Sequence, residues 1–132
     1  MSSVAISIRH EGDYKFRLKC REHELIADLP HAGGGSDAGP TPPEYLIAAL
    51  GSCVGVYVVD YCQRTGIPYH GMQIDLKWED GKAPSRIAAI EVSVTLPEGV
   101  PDEHREKLHR VAEACKVHNT LMNSPKVSIS LK

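Results

Sequence analysis

The sequence is short of large aromatic residues and of paired motifs. With one Phe and one Trp in 132 residues, the core has to be built from Val, Ile, Leu and Ala. The four cysteines, Cys20, Cys53, Cys62 and Cys115, form no CxxC pair, and the shortest gap between them is nine residues. A structural zinc site usually presents Cys or His in tight pairs. Cys115 with His118 has no second pair, so no metal and no cofactor is expected. An excess of either charge is also lacking. A net charge of −2 and a pI near 6.4 leave no basic footprint for nucleic acid. Met1 to Ser7 lacks the basic-then-apolar pattern of a secretory signal, so a cytoplasmic location is expected. A reducing compartment argues against a disulfide framework, which a domain of this size does not need. The uncharged run Tyr45 to Val59 is fifteen residues long. That is short of the roughly 18 to 20 needed to span a bilayer, so a buried helix and no membrane partner are expected.

Apolar residues make up 42% and charged residues 24%, which fits one globular domain over residues 1–132. Val4 to Ile8 and Tyr14 to Cys20 are β-prone runs flanking the turn signal His10-Glu11-Gly12-Asp13, and His23 to Leu29 reads as a third strand. Ala32 to Pro43, with four glycines and three prolines, is a loop of the length that often carries function. It runs into a helix with Thr41 as N-cap, Pro42 at N1 and Glu44 at N3, a capping box. This helix extends to about Thr65, where Gly66 fits C′ and Pro68 follows. Met72 to Trp78 and the alternating Ile87 to Leu96 form a second hairpin. Pro101 opens another helix, whose Leu108, Val111, Ala112, Cys115 and Met122 form one apolar stripe. Lys126 to Leu131 reads as a last strand, with Val127, Ile129 and Leu131 inward. The order β-β-β-α-β-β-α-β indicates an α+β fold with largely antiparallel sheet.

The first long helix is apolar nearly all round and has to be covered all round. Six short strands and one amphipathic helix do not easily enclose it, so a two-fold homodimer is expected. Along that helix Cys53 and Cys62 lie half a turn out of phase and about 13 Å apart, and cannot pair. Cys53 and Cys115 can both face a helix–helix contact, which makes them the one pair to bridge if their Cα atoms come within about 4.4 to 6.8 Å. The residues alone leave two readings open: buried thiols packed as small hydrophobes, or thiols in redox use. Cys20, near a strand end, has no assigned chemistry.

The stretch Gly39-Pro40-Thr41-Pro42-Pro43-Glu44-Tyr45-Leu46-Ile47-Ala48-Ala49-Leu50-Gly51-Ser52-Cys53 resembles the signature of the OsmC/Ohr family. Ala114-Cys115-Lys116-Val117-His118-Asn119-Thr120-Leu121 resembles its second cysteine motif, and the element order matches over the whole chain. The resemblance implies an intertwined homodimer with mainly antiparallel sheets around two long central helices. It also implies a thiol-dependent peroxidase acting on organic, lipid-like hydroperoxides, for which an apolar site between subunits would suit an alkyl chain. Cys53 would be the peroxidatic thiolate and Cys115 the resolving thiol, with a dithiol reductant such as a lipoylated protein restoring both. The other reading is a non-enzymatic small-molecule-binding or stress-response dimer with structural cysteines.

The chemistry requires a thiolate, and apolar surroundings disfavour that charge. Cys53 lies too deep in its helix to use the helix N-terminus, so a cation has to be brought to it. The family uses an Arg from the N-terminal hairpin, held by a Glu near the helix start. Glu44 matches the Glu, which also serves the capping box. Arg9 is the nearest match for the Arg, with Arg17 and Arg21 as substitutes. His118 reads as a polar neighbour of the site or as a surface residue, the surface reading being favoured. The Glu44–Cys53 spacing is one residue shorter than in the family's hydroperoxide reductases, a rotation of about 100° unless a local bulge restores it. Lys116 stands where the family often has Pro, and is expected to let the second helix run through. In these respects the chain resembles the broad OsmC-like branch.

Overall fold

The computed structural model describes residues 5–132, so Val4, the expected start of the first strand, lies outside it. The chain divides into two compact units, Met1–Leu46 and Ile47–Lys132.

In the first unit, β1 (Ile6–Gly12), β2 (Lys15–Cys20) and β3 (His23–Ala27) form an antiparallel meander in that order. Its register sets Ile8 beside Leu18 and Leu18 beside Leu25, with Arg9 beside Arg17 and Arg17 beside Ile26. Side chains alternate across a strand, so Ile6, Ile8, Phe16, Leu18 and Leu25 share one face. Four of these five are more than a third exposed. Beyond β3 the chain is organised by Asp28, whose buried carboxylate accepts the N–H groups of Leu29, Ser36 and Ala38 at 2.7, 3.2 and 3.1 Å. The glycine-rich loop is thereby tied to its own first residue. Gly39 has to be glycine, because a Cβ there would lie 2.2 Å from the Ile26 carbonyl oxygen.

The loop delivers Thr41 to the start of α1 (Pro42–Thr65). The capping box forms as the sequence predicts: the Thr41 N–H donates to Glu44 Oε1 at 2.8 Å, and the Glu44 N–H donates to Thr41 Oγ1 at 3.3 Å. Gly66 follows in the left-handed conformation, φ 74°, which ends the helix.

The second unit holds the core: Leu50, Val54, Val58, Tyr61 and Cys62 of α1 packed with Ile67, Leu96, Leu108 and Cys115. β4 (Gln73–Gly81) and β5 (Arg86–Thr95) form an antiparallel hairpin with Ile74 opposite Val94 and Leu76 opposite Val92. Gly51 and Gly55 let this hairpin approach α1. A Cβ at Gly51 would lie 2.6 Å from Leu76 Cδ1, and one at Gly55 2.9 Å from Ile74 Cδ1. By length and composition alone α1 could cross a membrane. Its eight buried residues instead follow one stripe, Ile47, Leu50, Gly51, Val54, Gly55, Val58, Tyr61 and Cys62.

α1 is not covered all round by its own chain, as the sequence leads one to expect: Val56 on the opposite face is 65% exposed. Three expectations are corrected. The second helix does not run through. After a 3-10 turn at Asp102–His104, α2 (Arg105–Glu113) stops and α3 (Lys116–Met122) starts afresh. Cys115 between them is extended, φ −66°, ψ 147°, and its sulfur accepts the His118 N–H at 3.2 Å. That bond satisfies a donor in the first turn of α3, and the break resets the helical phase. Met122 therefore leaves the stripe and is 70% exposed. Finally, Lys126 to Leu131 is not a strand in this chain, and Val127, Ile129 and Leu131 do not face inward but are 74%, 86% and 95% exposed. Alternation specifies a strand only where an edge is there to pair with it, and none meets this segment among the described residues.

Candidate functional site

α1 and the α2–α3 break bring two of the four cysteines together. Cys53 is half-buried in the middle of α1, and Cys115 is fully buried at the head of α3. Burial pushes the Cys115 thiol above its ordinary value. The His118 N–H pulls it back, and the adjacent Cys53 thiol adds to the rise. Cys62 lies on the buried stripe of α1, and burial raises its thiol as well. Cys20 closes β2 in the other unit. All four are free thiols.

The partners proposed from sequence are distributed differently. Glu44 is occupied by the Thr41 N–H. It sits nine residues before Cys53 on one uninterrupted α-helix, and nine steps of 100° place the two half a turn apart. No bulge restores the phase. Arg9 lies on β1 in the first unit, and among the described residues no ion pair joins it to Glu44. Arg17 is held by Glu11 at 2.6 and 3.2 Å and reaches Glu24 at 3.4 Å. The Arg17 guanidinium in turn holds the Glu11 carboxyl below its ordinary value. Arg21 sits in the β2–β3 turn with φ 55°.

Of the two readings of His118, the favoured surface one does not hold. The residue is half-buried, its N–H serves Cys115, and its Nδ1 is buried with no hydrogen-bond partner among the described residues. The sequence signal was its position, three residues after a cysteine, where a first-turn N–H meets a cap. Asp28 was missed altogether. An Asp directly before a glycine- and proline-rich loop is the pattern that could have found it. Burial opposes its charge, but the N–H groups of Ala38, Leu29 and Ser36 outweigh that and hold the carboxyl below its ordinary value. Among the described residues, no three His, Cys, Asp or Glu side chains are grouped to hold a metal ion.

Two motif cysteines on neighbouring helices, the second capping its own helix, agree with a family model described as OsmC-like protein, which matches residues 33–130. The chain belongs to the OsmC-like family. The fold is that of solved OsmC-like structures. A Psychrobacter arcticus 273-4 protein, named for osmotic stress induction and a detoxification response, superposes with a TM-score of 0.83 at 17% identity, over 91% of this chain and 89% of that one. An OsmC like protein from Mycoplasma pneumoniae gives 0.77 at 15% identity, over 93% and 89%. An organic hydroperoxide resistance protein from Elizabethkingia anophelis gives 0.70 at 17% identity, over 94% and 91%. No curated protein matches the sequence. In this OsmC-like chain Lys116 occupies N1 of α3, the helical position where proline is tolerated best. A proline at this position would therefore be accommodated without breaking a helix.

Proposed function

We propose that this OsmC-like chain is a thiol-dependent peroxidase for organic, lipid-like hydroperoxides. The supporting observation is the pairing of a half-buried Cys53 thiol with a fully buried Cys115 thiol that burial pushes above its ordinary value. In this reading the Cys53 thiolate attacks one peroxide oxygen and breaks the O–O bond. The alkoxide takes a proton and leaves as the alcohol, and Cys53 becomes a sulfenic acid. The Cys115 thiol displaces water from it to form the disulfide. A dithiol reductant of the lipoyl type restores both thiols by exchange and is itself oxidised. A cytoplasmic location suits a chain that works with free thiols. Fold relatives named as organic hydroperoxide resistance proteins support the substrate class.

Arg9 is the hairpin cation we assign to the thiolate, because Arg17 is already held by two carboxylates. Glu44, bound to the Thr41 N–H, contributes by fixing the start of α1.

Stopped-flow oxidation by cumene hydroperoxide tests the proposal. Fast consumption is expected, abolished in Cys53→Ser, with a trapped sulfenic acid in Cys115→Ser. Arg9→Ala is expected to slow oxidation by roughly tenfold or more, since one unit of thiol pKa changes the thiolate fraction about that much. Oxidation no faster than that of an unfolded control thiol would reject the peroxidase and leave a binding or stress-response protein with structural cysteines.

A further inference from the structure

The seven-residue α3 is weakly anchored. None of its residues is fully buried. Val117 packs against the core and His118 is half-buried, while Lys116 and Asn119 to Met122 are exposed. A helix this short is marginal on its own, so the bonds of its first turn weigh heavily. The side-chain cap of that turn is the Cys115 sulfur, which accepts the His118 N–H at 3.2 Å. No reciprocal bond reinforces it as in a capping box, because His118 Nδ1 has no partner among the described residues. The same sulfur lies out of reach of solvent, since Cys115 is 0% exposed.

The two thiols differ in how freely they can move. Cys53 sits in the unbroken middle of α1, held by helical bonds on both sides. Cys115 lies in the break between α2 and α3, extended and outside either helix. A covalent bond brings two sulfurs closer than contact between thiols allows. The residue that yields when the bond forms is therefore Cys115, and its sulfur is drawn toward Cys53 and off the His118 N–H.

We propose that α3 is a redox-released lid: it is shut while the Cys115 thiol caps it, and freed once Cys115 is bridged to Cys53. Exchange needs access to a sulfur of the disulfide, and the freed lid gives a dithiol reductant a sulfur that the shut lid buries. One thiol is thereby shielded while reduced and opened once oxidised. Bridging removes two electrons and two protons from the thiols, which leave with the hydroperoxide as alcohol and water. The inference rests on the Cys53–Cys115 pairing proposed above and not on its substrate.

Amide exchange and thiol kinetics on the full chain test it. Diamide, reduced to its hydrazine, takes the same two electrons and two protons and makes the bridge without peroxide; peptide mapping identifies it. In the bridged chain the His118–Met122 amides should exchange faster by about fivefold or more, the factor that loss of a cap implies. Cys115→Ser, whose hydroxyl is a good cap, should keep α3 shut with or without diamide. Thr120→Pro breaks α3 without touching a thiol. In a Cys53→Ser background it should speed labelling of Cys115 by an aromatic disulfide reagent by about tenfold or more, as a broken helix implies. In the bridged chain it should leave reduction by dihydrolipoamide within about twofold, because access is already open. Unchanged amide exchange on bridging would overturn the inference and leave the peroxidase standing. Equal acceleration of labelling and reduction by Thr120→Pro would overturn it too, since the lid would be shut in both states. A chain in which diamide makes no Cys53–Cys115 bridge would overturn the inference and the peroxidase's resolving step together. A freed α3 in a chain that consumes no peroxide would support the lid and reject the peroxidase alone.

Discussion

At the Cys115 sulfur, burial opposes ionisation and the His118 N–H offsets it only in part. A thiol whose folded pKa is raised stabilises the fold fully below its unfolded value, and that contribution is lost as pH climbs through the folded one. The same holds for Cys62. Stability should therefore fall on the alkaline side, beginning near the ordinary thiol pKa of about 8.5. Denaturant titrations from pH 7 to 10 should show a shallower decline in Cys62→Ala than in the wild type. Asp28 works in the opposite sense. Its folded value is lowered, so its contribution is complete above the ordinary carboxylate range and disappears as pH falls through the folded value. Asp28→Asn should destabilise the chain at pH 7 and flatten the acid limb of its pH–stability curve. An unchanged acid limb would mean that the three N–H bonds to Asp28 carry no net free energy.

At the scale of the element, α1 depends on its first turn and on two glycines. Thr41→Ala removes the cap of the Glu44 N–H and should cost about 1 kcal/mol, read from urea unfolding. Gly51→Ala drives a methyl into Leu76. Despite the better helix propensity of alanine, a net loss of about 1 to 3 kcal/mol is expected, as for other overpacked sites. Gly66→Ala should also destabilise, for a different reason: nothing lies near its Cβ, but its φ is 74°, where any side chain is strained. The break between α2 and α3 makes a sharper forecast. Lys116→Pro places proline at N1 of α3 and should leave the melting temperature nearly unchanged. The same residue at Leu108, inside α2, should lower stability by about 3 kcal/mol or more. Equal damage at the two positions would mean that the helix runs through Cys115 after all.

For the molecule as a whole, apolar surface is distributed as if part of the core were still to be supplied. If a second copy supplies it, the melting temperature should rise with protein concentration, because association stabilises the folded state by mass action. Calorimetry over a hundredfold range of concentration would show this, and a constant midpoint would point to a monomer.

The sequence by itself determined the elements whose signals are local. These are the capping box at Thr41 and Glu44, the stop at Gly66, the hairpins bounded by turn residues, and the two cysteine motifs that place the chain in its family. Each depends on side chain and backbone groups a few residues apart, so pattern is enough. Tertiary structure decided everything that depends on which groups meet. It ended α2 at Glu113 and left Cys115 extended, its sulfur accepting the His118 N–H where the apolar stripe alone predicts a continuous helix, and it buried Asp28 beside a stretch that composition alone marks only as a loop. It set Cys115 beside Cys53 but left Glu44 to its cap, half a turn out of phase with Cys53. The alternating Lys126–Leu131 shows the division most clearly. Its pattern specifies a strand, but a strand exists only where an edge receives it, and among the described residues none meets this segment.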